Sequence, residues 1–332
     1  MNKIKVGSMF AGIGGVCLGF KNAGFDIVWA NEIDKNACIT YRENFGENYL
    51  YEGDIRTING ENIPNFEILT AGFPCQAFSI AGYQKGFEDE RGNLFFEVLR
   101  IIREKEKIGQ KPEIIFLENV KNLVSHDKGN TFKVILEALE SYGFYLKYKI
   151  LNTMEYGNIP QNRERIYIVG FLDNKKYNNF KFPEKIELTK NIRDIISKDK
   201  QNNKYYYDNS KYFSILKESM TNKNTVYQWR RVYVRENKNN VCPTLTANMG
   251  TGGHNVPLVI DDYGIRKLTP LETFKFQGFP DNFKLPQIAD SHLYKQAGNS
   301  VSVTVITKIA EQIYKTFSNK KEINSEYKFT LF

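Results

Sequence analysis

The chain is poor in the residues that build metal and disulfide frameworks. Among 332 residues there are four cysteines (Cys17, Cys38, Cys75 and Cys242) and three histidines (His126, His254 and His292). No two cysteines form a C-x-x-C pair, so a zinc site is not expected, and neither is a disulfide scaffold. No run approaches the roughly 20 apolar residues of a membrane span. The opening MNKIKVGSMF has no apolar signal region and runs directly into a strand pattern. A cytoplasmic protein without a membrane partner is expected. Internal repeats and long low-complexity blocks are also missing. What remains is ordinary globular composition, 41% hydrophobic and 25% charged, long enough for one large and one smaller domain.

The charge excess is local. The net charge is +8, and residues 172–240 alone hold 16 Lys and Arg against 8 Asp and Glu. The rest is balanced. A basic segment beside a neutral one points to a polyanionic partner, although a solvated lysine-rich surface gives the same count. The organisation divides in the same place. Apolar runs at 4–10, 26–30, 49–51, 66–72 and 114–117 alternate with helical patterns at 16–23, 35–45, 94–106 and 131–142. This is the rhythm of an α/β, doubly wound parallel sheet. Two further strands, in YLKYKILNT and RIYIVGFL, read as an antiparallel addition joined by a short turn. Beyond residue 171 the rhythm fades into a strand- and loop-rich segment, and a final helix at 301–316 returns to the first domain.

The turn FAGIGG, 10–15, joins the first strand to the first helix. Small residues there admit a ligand close to the backbone, and the helix N-terminus suits an anionic group. The spacing is not G-x-G-x-x-G, which weakens a pyrophosphate reading. Glu32 ends the second strand, where an acid suits a ribose diol. Asp54, after the third strand, suits an adenine amino group. An adenosine ligand with a small charged head, such as S-adenosylmethionine, satisfies all three; two surface acids beside a tight turn are the plainer alternative.

GFPCQAFS, 72–79, sets Cys75 just beyond the fourth strand, on the same sheet edge. Alone it reads as a core cysteine. Glu118 ends the fifth strand on that edge. Arg163 and Arg165 open the last strand and, two apart, face one way. A thiol, a carboxyl and two guanidiniums beside a methyl donor suit methylation of cytosine carbon 5. A thiolate adding to carbon 6 makes carbon 5 nucleophilic. A protonated Glu118 on ring N3 and an arginine near the ring oxygen assist.

The motifs FAGIGG, NEID, GDI, GFPCQAFS, GFEDERGNLFFEV, ENV, QNRERIYIVGF, RKLTPLETFKFQGFP and QAGNSVSVTVI stand in the order found in bacterial cytosine-C5 DNA methyltransferases of restriction–modification systems. The chain resembles that family over nearly its whole length apart from the variable segment. The resemblance implies an S-adenosylmethionine-dependent Rossmann-like domain with a small target-recognition domain. It places the catalytic domain at 1–175, completed by 292–332, recognition at 176–262 and a hinge at 263–291. It implies Cys75 as nucleophile, with Glu118, Arg163 and Arg165 catalytic. Cofactor contacts map to Phe10, Gly12, Gly14, Glu32, Ile33, Asp54, Ile55, Pro74, Leu94, Asn299 and Val301, with no metal. A monomer is implied, and a cognate restriction endonuclease that shares the DNA site without a stable complex.

The target cytosine must leave the duplex stack. The polar stretch 79–93 follows the nucleophile, and the resemblance marks it as a loop closing over DNA, with Ser79, Gln84 and Arg91 as contacts. Ala81 stands where some relatives carry a serine that enters the vacated space, so another residue is expected to fill the gap. VYQWRRVYVR, 226–235, reads as one strand with Tyr227, Trp229, Arg231, Tyr233 and Arg235 on one face. A glycine-rich loop, 244–257, follows. Arg230, Arg231, Arg235, Asn248, Thr251, Gly252 and His254 are the candidates to meet double-stranded DNA; YYYD, 205–208, reads as packing. Two rivals keep parts of this picture: a tRNA cytosine-C5 methyltransferase and a non-catalytic DNA-binding protein. The recognition segment speaks against the first, the complete catalytic set against the second.

Overall fold

The computed structural model describes residues 3–73, 94–230, 232–250 and 256–317. Its centre is a seven-stranded sheet formed by β1 (Lys5–Met9), β2 (Asp26–Glu32), β3 (Leu50–Glu52), β4 (Ile68–Ala71), β5 (Ile114–Val120), β6 (Tyr145–Asn152) and β8 (Glu164–Phe171), in the order β3-β2-β1-β4-β5-β8-β6. The strand runs are short and β-branched or aromatic. In β5 every residue of IIFLEN is buried, as expected where helices cover both faces of a parallel sheet.

One expectation needs correction. β8 is antiparallel to both β5 and β6, so β6 itself runs with the parallel set and a single strand is reversed. The link from β6 to β8 is not a short turn either. It carries helix α5 (Thr153–Tyr156) and the two-residue β7 (Gln161–Asn162), which pairs outward with β11 (Cys242–Pro243).

Helices α1 (Gly15–Asn22), α2 (Lys35–Phe45), α3 (Leu94–Lys107) and α4 (Asn130–Ser141) follow the predicted positions closely. The chain continues through α6 (Asn174–Asn179), α7 (Phe213–Ser219), α8 (Pro270–Phe276) and α9 (Asp290–Asn299) to α10 (Val303–Phe317). On one face of the sheet, Phe20 of α1 packs with Ile306, Ile309 and Ile313 of α10. Leu99 and Ile102 of α3 and Ile135 and Leu139 of α4 cover the other. Each such side chain contributes about 1.5–3 kcal/mol when fully buried.

A second sheet, in the order β10-β9-β12-β13, joins β9 (Tyr227–Arg230), β10 (Tyr233–Glu236), β12 (Leu258–Ile260) and β13 (Ile265–Lys267). Its own core is small: Leu216, Met220, Tyr227, Leu258 and Ile265. Residues 226–235 are therefore not one strand but an antiparallel hairpin, with Trp229 opposite Val234 and Arg230 opposite Tyr233. The fold-back splits the expected aromatic–basic face. Tyr227 and Trp229 share the packed side with Val234, whereas Gln228, Arg230, Tyr233 and Arg235 share the open side. Tyr205 and Tyr206 pack as expected, donating to Asp290 (3.0 Å) and Asp261 (2.9 Å).

Candidate active site

Parallel strands present their carboxyl ends on one edge, and ligands bind outside that edge. Here a cleft of about 400 Å³ opens there. Its described walls come from the turn after β1, the β2–α2 junction, the ends of β4 and β5, the start of β8 and the α9–α10 junction.

The glycine turn has the geometry of a ligand cradle. Phe10 sits at φ 55, a left-handed conformation that costs a non-glycine residue about 1–3 kcal/mol and gathers at functional sites. Gly12 follows at φ +57, and a Cβ there would meet nothing within 4 Å. The space is open, so the backbone itself is what faces the cleft. Glu32 fixes the turn: Oε2 accepts from Gly12 N (2.7 Å), and Oε1 accepts from the amides of Ile33 (2.9 Å) and Asp34 (2.8 Å). Oε2 keeps one acceptor site for a hydroxyl. Ile33 is 61% exposed though apolar and lines the cleft, a surface suited to a flat ring. Gly14, φ 87, precedes α1 and gives it no side-chain cap, an arrangement that suits an anionic group at the first amides.

Among the cofactor candidates, Phe10, Gly12, Glu32, Ile33, Leu94, Asn299 and Val301 line the cleft. Gly14, Asp54 and Ile55 are not among its described lining. The Asp54 carboxylate instead accepts from Arg56 N (3.0 Å) and pairs with the Arg56 guanidinium (2.5 Å), and Ile55 is buried in the core. Pro74 lies outside the described residues, as do Cys75, Ser79, Gln84, Arg91, Arg231, Thr251, Gly252 and His254. Sequence reasoning passed over His292, Lys295 and Ser300 as site residues, although they also line the cleft; Ser300 stands inside the quoted QAGNS, and the other two lie just before it.

At the centre of the edge, β4 and β5 pair Ala71 with Leu117. Gly72 and Phe73 therefore stand beside Glu118 and Asn119. Asn119 donates to Phe73 O (2.7 Å) while its own carbonyl accepts from Val120 N (2.8 Å). This second residue of ENV, missed in the sequence, holds the backbone immediately before Pro74. β8 brings Arg165 opposite Val120, and its Nε lies 3.3 Å from Glu118 Oε1. Glu118 is 9% exposed, and among the described residues Oε1 accepts no hydrogen bond. Burial pushes the Glu118 carboxyl above its usual range, against the pull of Arg165 and then Arg163.

The two arginines separate in role. Arg165 faces Glu118. Arg163 is 2% exposed and spends its terminal nitrogens on backbone carbonyls, Nη1 on Leu245 O (3.0 Å) and Nη2 on Gly298 O (3.3 Å) and Ser300 O. Of the described recognition candidates, Arg230, Arg235 and Asn248 are exposed, and Arg230 donates to Gln228 (3.1 Å). No cluster of three metal-ligating side chains occurs among the described residues, and no described helix is long and apolar enough to cross a membrane.

The fold is shared with solved proteins. The S. pombe Dnmt2 methyltransferase matches it with a TM-score of 0.71 over 96% of this chain and 100% of that one, at 18% identity. The sequence carries the narrower identity. Residues 4–315 match the model of the C-5 cytosine-specific DNA methylases. The chain is 60% identical over 318 residues to the Type II methyltransferase M.Bsp6I of Bacillus sp. (strain RFL6), covering 94% of this chain and 99% of that protein. It is 40% identical to the Type II methyltransferase M.HhaI of Haemophilus parahaemolyticus, covering 92% of each. The chain therefore belongs to the C-5 cytosine-specific DNA methylase family and is a DNA cytosine-5 methyltransferase.

Proposed function

We propose that this enzyme modifies one short sequence in double-stranded DNA, as the protective partner of a restriction system, and acts on a cytosine turned out of the helix. S-adenosylmethionine, when bound, supplies an electrophilic methyl group. The open backbone at Gly12, the spare acceptor on Glu32 and the apolar face of Ile33 suit its amino-acid, ribose and adenine parts, and Asn299 and Val301 close the wall. The enzyme works as a monomer, without a metal and without a stable complex with its endonuclease.

The Cys75 thiolate adds to carbon 6 of the cytosine. Glu118 carries a proton to N3, so the ring accepts the added electron pair, and Arg165 faces the developing charge. Carbon 5 then takes the methyl group. Loss of the carbon 5 proton to a base, with expulsion of the thiolate and return of the N3 proton to Glu118, restores the aromatic ring and leaves Cys75 unchanged. Separating addition from transfer divides one hard step into easier ones.

The observation that carries this reading is Glu118: a buried carboxyl, raised by desolvation, with no hydrogen bond to Oε1 among the described residues, between an arginine and the chain that leads into Pro74-Cys75. A carboxyl on which burial favours the proton is suited to donate to a ring nitrogen. Arg230 and Arg235, on the open hairpin face, and Asn248 supply contacts to DNA. Expression in a host lacking DNA methylation, followed by bisulfite sequencing of its genome, tests the reading. Cytosines protected at one recurring motif are expected. An unprotected genome with folded protein refutes it, and total tRNA becomes the next sample.

A further inference from the structure

Two segments meet behind the cleft. One is 242–250, which leads into the glycine-rich loop taken above as DNA-facing. The other is 298–301, which forms the cofactor wall. They touch at backbone level. A Cβ added to Gly298 would lie 2.1 Å from the carbonyl carbon of Thr246, so only glycine permits the approach. Gln161 Oε1 accepts from Leu245 N (3.3 Å), and Gln277 Nε2 donates to Ala297 O (2.6 Å). One guanidinium reaches carbonyls of both segments. Arg163 donates to Leu245 O on one side and to Gly298 O and Ser300 O on the other.

From this geometry we propose that Arg163 is a positioning residue that couples the DNA-facing segment to the cofactor wall, and not a group that touches the target base. The proposal rests on reading 244–257 as DNA-facing. A rigid planar fork joins three fixed carbonyls with little loss of entropy, which a flexible ammonium does not reproduce. Any displacement of Leu245 by bound DNA moves the groups flanking Asn299, and the coupling is reciprocal.

The test is calorimetry of S-adenosylhomocysteine with and without sheared genomic DNA from a methylation-free host, a probe that contains every short sequence. DNA is expected to tighten the wild-type enzyme's affinity by about fivefold or more. In Arg163→Lys and Arg163→Gln the gain should fall below about twofold. A variant that keeps the wild-type gain overturns the proposal, as does a wild-type enzyme that binds DNA without any gain. DNA binding measured without cofactor tests the DNA-facing reading separately. Should the variants not fold, hydrogen exchange on DNA-free wild type decides. S-adenosylhomocysteine is expected to slow exchange at residues 242–250 as well as at 10–15 and 298–301. Protection confined to the latter two stretches overturns the coupling.

Discussion

Two arginine–glutamate pairs among the described residues differ in completeness. At the junction of the second sheet with α8, Arg266 is fully enclosed. It donates to Asp261 (2.5 Å) and, through both terminal nitrogens, to Glu272 (2.7 Å each). Glu272 also accepts from the amides of Thr269 (2.8 Å) and Ser197 (2.8 Å), and Asp261 from Tyr206, Tyr263 and Gly264. Burial opposes the Arg266 charge, but the two carboxylates more than offset it and hold the guanidinium firmly charged. At the cleft, Arg165 and Glu118 make one contact of 3.3 Å. Among the described residues, the buried Glu118 Oε1 and Ser300 Oγ have no hydrogen-bond partner. An unsatisfied buried polar group costs about 1–3 kcal/mol. The junction spends its charges on holding two parts of the chain together. The described part of the cleft leaves polar capacity unspent, which the proposed reaction would use.

The difference can be tested by breaking each side. The largest effect is expected from Cys75→Ser: turnover falls below detection in a tritiated-methyl transfer assay while DNA binding in a gel-shift experiment persists. Methylation at the wild-type rate would end the covalent mechanism. At the junction, Arg266→Met leaves Asp261 and Glu272 buried without their cation and should remove about 3–5 kcal/mol of stability, read by urea unfolding.

Glu118 sharpens the contrast through pH. Its folded value is raised, so the native state holds a proton that the unfolded chain releases first. Stability is therefore expected to fall as pH rises from about 4.3, the ordinary glutamate value, through the raised value. Glu118→Gln should remove that loss, giving a higher Tm than wild type at pH 8 and an equal one at pH 4. The wild-type rate should fall as pH rises through the same raised value, because the protonated form acts. Glu118→Gln should flatten that limb. The smallest effect concerns the exposed hairpin: Arg235→Ala should lessen the salt dependence of DNA binding by about one phosphate contact. An unchanged slope removes Arg235 from the interface.

Much of the catalytic part was legible because its signals are local. The apolar runs of β4 and β5, the turn at 10–15 and the order of the motifs all express a repeating βα unit in which each strand end carries one chemical group. Where the signal depended on partners distant in sequence, it misled. The hairpin at 227–236 was read as a single strand because alternation continues through Arg230 and Tyr233. The turn between them carries no glycine, asparagine or proline to announce it. The division of labour between Arg163 and Arg165 was likewise invisible. Alternation places both arginines on one side, but only the fold brings Leu245 and Ser300 to the first and Glu118 to the second. Asn119 was quoted in the motif yet passed over, since its partner is the backbone carbonyl of Phe73, 46 residues away.

The most direct test is a paired measurement on Glu118→Gln and Glu272→Gln, comparing kcat on methylation-free DNA with unfolding in urea. Glu118→Gln is expected to lower kcat by about 10²–10⁴-fold while keeping or raising stability. Glu272→Gln is expected to lose about 3–5 kcal/mol of stability while the fraction that stays folded turns over at close to the wild-type rate. Loss of stability in the first variant, or a matching loss of kcat in the folded fraction of the second, would contradict the division between a reserved cleft and a satisfied junction.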